Sequence, residues 1–64
     1  MLTQLQKDLL TCLRYVGMKE EERLGIMLAL KDKEEQQQQM VDWIVENPTA
    51  NSSEVIGQMM SLLK

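Results

Sequence analysis

The 64-residue sequence has no histidine and no phenylalanine, one cysteine, one proline, and three glycines that never cluster. Each absence closes off a chemistry. Without histidine the commonest general base is missing, and a nucleophile would need a buried carboxylate or lysine beside it. The acids here fall in the first turns of helices, on polar faces or near helix ends, where water solvates them. Glu20, Glu21 and Glu22 are consecutive and fan around a helix rather than converge. An enzyme is therefore not expected. One cysteine and no histidine remove the usual zinc ligand sets. Nothing resembles a calcium loop, and the scattered glycines build no phosphate-binding loop. Neither a metal nor a cofactor is expected. Cys12 cannot form an internal disulfide. It sits in an apolar helical pattern and reads as a small buried hydrophobe in a reducing compartment.

Basic residues are also scarce. Seven lysines and arginines face ten acids, for a formal net charge of −3. Residues 1–32 balance five acids with five bases, while residues 33–64 carry five acids against Lys33 and Lys64 alone. Nucleic-acid binding draws most of its affinity from Lys and Arg neutralising phosphates, so it is not favoured. Anionic membrane surfaces prefer basic amphipathic helices and are not favoured either. The longest apolar run, Leu24 to Leu30, falls far short of the ~20 residues that span a bilayer. The N-terminal residues lack the charged head and continuous apolar stretch of a signal peptide. The expectation is a cytoplasmic protein with no membrane segment.

What is present is helical periodicity. Four short helices are predicted, at about 3–16, 19–31, 33–46 and 52–63, in one all-α domain covering residues 1–64. In the first, Leu2, Leu5, Leu9, Cys12, Leu13 and Val16 share one stripe. Thr3 with Gln6 fits a capping box, and Gly17 fits the left-handed residue that closes a helix. The second opens on three glutamates that suit the helix dipole. Its later half is apolar all round, and Gly25 there permits a close backbone approach. In the third, Asp32 is placed as the N-cap with Glu35 as its capping-box partner. Met40, Val41, Trp43, Ile44 and Val45 form its apolar face. Gln36 and Gln37 continue that face where no hydrophobe follows, so the start of the helix is expected to project beyond the core. Trp43 is expected to anchor the core, and Tyr15 to lie on the surface. Pro48 ends the helix near Glu46 or Asn47. The fourth can be capped by Asn51 or Ser52, Asn51 with Glu54 fitting a capping box, and is amphipathic through Val55, Ile56, Met59, Met60, Leu62 and Leu63.

A core this small rarely supplies more than roughly 3–5 kcal/mol of net stability without a staple. Three short helices can hardly surround the second one fully. Part of its apolar surface is therefore expected to meet another chain, and methionine suits adaptable surfaces of that kind. The residues expected to supply both core and interface are Leu24, Ile26, Met27, Leu28 and Leu30, with Met59, Met60 and Leu63. The functional expectation is a non-enzymatic interaction or regulatory protein that binds protein, either a second copy in a homo-oligomer or a hetero-partner. The alternative is a helix-turn-helix-like DNA-binding regulator lacking a strong basic patch. In that reading Gln36–Gln39 would touch adenine edges, against the repulsion of Glu34 and Glu35.

Overall fold

A computed structural model describes all residues, Met1–Lys64. Each of its four helices begins and ends for a local reason. Helix α1, Gln4–Val16, is capped by Thr3, whose hydroxyl accepts from the Gln6 N–H at 3.1 Å. The Gln6 side chain returns the bond, accepting from the Thr3 N–H at 2.8 Å. At the other end Gly17 takes φ +87°, a left-handed conformation that costs glycine little. Its N–H donates to the Arg14 carbonyl, and the Met18 N–H donates to that of Leu13. This is the Schellman arrangement, and Met18 and Leu13 both enter the core beneath it.

Helix α2 is Glu20–Ala29. The Lys19 N–H donates to the Glu22 carboxylate at 3.0 Å, and Glu20, Glu21 and Glu22 occupy the positive end of the dipole. A four-residue turn, Leu30–Lys33, leads into α3 and is closed by the Lys33 N–H on the Leu30 carbonyl. Here the structure corrects the sequence. Asp32 does not cap α3. It lies at φ +65°, and Lys33 takes the cap position with no side-chain bond. A capping residue needs extended backbone, whereas this tight turn needs a left-handed residue, which aspartate tolerates better than most.

Helix α3, Glu34–Glu46, ends where Asn47 folds back on it. Both the backbone N–H and the side-chain amide of Asn47 donate to the Trp43 carbonyl. Helix α4, Ser52–Leu62, opens on a full capping box between Asn51 and Glu54. The fold is thus all-α, a four-helix bundle with a radius of gyration of 10.3 Å. That is close to the ~10.7 Å expected of a compact chain this long.

Helix α1 packs on α2 on one side and more extensively on α3, and α4 packs on α3. The core follows from that order. Leu9 and Leu13 come from α1, Met18 from the first turn, and Ile26 and Leu30 from α2 and its end. Met40 and Ile44 come from α3, and Val55 is the one fully buried side chain of α4. Cys12, Met27, Trp43, Ile56, Met59 and Leu62 pack against this cluster while remaining partly exposed. Trp43 therefore flanks the core rather than anchoring its centre, and Tyr15 is on the surface.

One further expectation is corrected. The first turns of α3 do not project beyond the core. Gln37 is buried, continuing the stripe of Met40 and Ile44, and its amide donates to the Leu30 carbonyl. A glutamine occupies the core there because a main-chain acceptor waits opposite it. Gly25 has no neighbour of its own chain within 4 Å of a built Cβ.

Candidate interaction face

Of the ten residues of α2 only Ile26 is buried, and it enters the core. Leu24 lies about 200° around the helix from it, and Leu28 sits one turn beyond Leu24. Those two leucines are 58 % and 63 % exposed. Met27 lies between the two sides and is half-buried. The apolar excess in this segment therefore faces outward, and part of it meets α1.

Leu2 and Leu10 border Leu24 and Met27 from the α1 side. Together these residues form two adjoining shallow depressions of about 280 and 400 Å³. Leu2, Leu24 and Met27 line both. The first also includes Leu10, Arg14, Glu20 and Arg23. The second includes Met1, Gln6, Leu28 and Lys31. Arg23 is held at the helix corner, where its guanidinium donates to the Met18 carbonyl at 3.2 Å. The result is a groove with an apolar floor and charged lining residues.

The eight residues expected to share core and interface separate into three groups. Ile26 and Leu30 are fully covered within the chain, and Met27 and Met59 are half-buried against the core. Leu24, Leu28, Met60 and Leu63 are exposed. Met60 and Leu63 belong to the end of α4, which packs on α3, and no α4 side chain lines the groove. The structure thus gathers only Leu24, Met27 and Leu28 in the groove, and it adds Leu2, Leu10, Arg14 and Arg23. Leu10 and Arg14 are one turn apart, so a reader of the sequence could place them on one side of α1. Nothing local says that α2 lies beside that side.

A separate hollow of about 360 Å³ lies between α1 and α3, lined by Thr11, Cys12, Tyr15, Ile44, Val45 and Pro48. Burial raises the pKa of the Cys12 thiol, and the nearby Asp8 carboxylate raises it further. The thiol is held protonated, which makes it a poor nucleophile. Three acidic or thiol side chains nowhere converge on a common point.

Helix α3 turns a carboxylate-rich side to solvent. Glu34, Glu35, Asp42 and Glu46 are all exposed. Of the four glutamines, Gln37 is buried, Gln36 is half-buried, and the Gln38 amide donates to Asp42 at 2.9 Å. No helix is long and apolar enough to cross a membrane. Comparison with protein-family models, with curated proteins and with solved structures finds no match.

Proposed function

We propose that the protein is a small non-enzymatic interaction module whose docking face is the groove between α1 and α2. One observation carries the reading. Leu24 and Leu28 stand exposed side by side on a helix whose opposite side puts Ile26 into the core. Fully burying a leucine is worth about 1.5–3 kcal/mol, so covering these two supplies on the order of 2–4 kcal/mol. Association itself costs roughly that much or more, so the contact must extend over Leu2, Leu10 and Met27 as well. Contiguous exposed apolar surface with a polar margin is a mark of interaction sites.

Self-association has its own support. Met60, 59 % exposed, and Leu63 make a second apolar spot on α4. A head-to-tail contact, with α4 of one copy in the groove of another, would use both. The duplex-binding alternative has the charge of α3 against it. Its outward carboxylates would meet phosphates, and one of its glutamines is occupied inside the core.

The test is positional. A photo-cross-linking residue in place of Leu28 should trap another protein chain in living cells, and the same residue in place of Gln38 on α3 should not. Equal trapping at both positions, or trapping at Gln38 alone, would remove the assignment of this face.

A further inference from the structure

We infer that the groove takes an acidic amphipathic helix from a different protein, an inference that rests on the reading of this face as a docking surface. The floor sets the first requirement. Leu2, Leu10, Leu24, Met27 and Leu28 offer apolar contact and no hydrogen-bonding group, so the occupant must bring large apolar side chains along one edge. The length sets the second. Helix α2 has ten residues, about 15 Å, which matches roughly three turns of a partner helix with anchors at i, i+4 and i+7.

Charge sets the third. Four charged residues line the groove: Arg14, Arg23 and Lys31 against Glu20. This excess of positive charge belongs to a chain whose net charge is −3. Arg14 and Arg23 line one depression, with Glu20 beside them, and Lys31 lines the other, so each half of the apolar floor carries a net positive charge. A helix with carboxylates flanking its apolar edge complements that pattern, and such complementarity selects partners more than it adds affinity.

A second copy fits less well. Symmetric pairing would set two basic grooves against each other. In a head-to-tail pairing the entering helix would be α4, whose exposed Met60 and Leu63 stand next to Lys64, while its one acid, Glu54, is in the first turn. The acids of α3 accompany a single exposed apolar residue, Val45. Only α2 combines exposed leucines, Leu24 and Leu28, with exposed acids, Glu20 and Glu21, and it carries Arg23 and Lys31 into any pairing as well.

The experiment uses the full chain and two fluorescent peptides of about 16 residues, each with leucines at i, i+4 and i+7. One carries glutamates at both ends and the other carries lysines. The acidic peptide should bind at least about tenfold more tightly, and added salt should narrow the difference. Reversing the charges with Arg14→Glu and Lys31→Glu should invert the preference, and Leu28→Asp should abolish binding of either peptide. All three positions are exposed, and circular dichroism of the variants reports whether the fold is retained. Equal affinity for the two peptides, or no binding of either, would overturn the inference. So would a chain that dimerises through Leu28 in sedimentation, or one that prefers phosphatidylserine vesicles to the acidic peptide. Should the acidic peptide fail while a cross-linker in place of Leu28 still traps protein, the occupant is wrong and the docking face stands. Should both fail, both readings fall.

Discussion

The side-chain amide of Gln37 donates to the main-chain carbonyl of Leu30 across 2.6 Å, inside the core. The same carbonyl accepts the Lys33 N–H at 3.0 Å, which closes the turn between α2 and α3. One oxygen therefore fixes both the turn and the approach of α3 to the end of α2. This matters to the groove, because Lys31 and Leu28 sit at that same end. Gln37 is the one polar residue in the buried set, and all its buried side-chain atoms have partners.

Replacing Gln37 separates hydrogen bonding from packing. Gln37→Leu should cost little, under about 1 kcal/mol, because Leu30 keeps its bond from Lys33 and the volume is conserved. Gln37→Ala should cost about 1–3 kcal/mol through the lost bond and the space left behind. Gln37→Glu should cost the most near neutral pH, since it buries a charge facing an acceptor oxygen. Burial raises the pKa of the introduced carboxyl in the folded state above its ordinary value of about 4.3. Folding of that variant is therefore least disturbed below the ordinary value, and stability is lost as pH rises through the raised one. Thermal melts of the three variants at pH 4 and pH 7 would check both the order and the pH trend.

The three glycines predict opposite signs for one substitution. A Cβ at Gly17, Gly25 or Gly57 meets nothing within 4 Å, so space decides nothing. Gly17→Ala forces an L-residue to φ +87° and should destabilise by roughly 1–2 kcal/mol. Gly25 and Gly57 lie inside exposed helix, where alanine gains about 0.5–1 kcal/mol each. For a chain of this size, 1 kcal/mol corresponds to a shift in Tm of about 4–8 °C. Melting Gly17→Ala beside Gly25→Ala and Gly57→Ala should split the set in both directions.

Much of this architecture is legible in residue order because it is local. The capping boxes of Thr3 with Gln6 and Asn51 with Glu54, and the left-handed Gly17, join residues three or four apart and form as read. Asp32 was misplaced because the residue types that cap helices also tolerate the left-handed region. At Asp32 the left-handed role is the one taken. The stripe running through Gln37 was visible, but its burial depends on the Leu30 carbonyl, which belongs to another element. The groove has the same origin. The apolar excess of residues 24–30 could be read directly, whereas Leu2, Leu10 and Arg14 join it only once α1 is docked alongside.

The two sides of α2 should separate under mutation. Ile26→Ala and Leu30→Ala each remove a core side chain and should cost about 2–5 kcal/mol. Leu24→Gln and Leu28→Gln change exposed positions and should shift stability by no more than about 0.5 kcal/mol. Urea denaturation of the four variants measures this directly. A large loss from Leu24→Gln or Leu28→Gln would mean that those side chains are engaged within the chain, leaving the groove without a free floor.

Cys12 predicts a one-sided response to alkali. Burial, aided by the Asp8 carboxylate, raises its pKa above the ordinary value of 9.0. Between the ordinary and the raised value the unfolded thiol has released its proton while the folded one retains it. Unfolding then liberates a proton, so stability must fall as pH rises through that window. Below pH 9 the two states bind the thiol proton alike, and no slope is expected from this group. Cys12→Ala removes the titrating group, so its stability curve above pH 9 should run flatter than that of the parent chain. Asp8→Asn removes the smaller contribution and should shift the onset of the parent's decline only slightly. Parallel curves for parent and Cys12→Ala above pH 9 would show that the thiol meets the same surroundings in both states, which is incompatible with its packing against the core cluster.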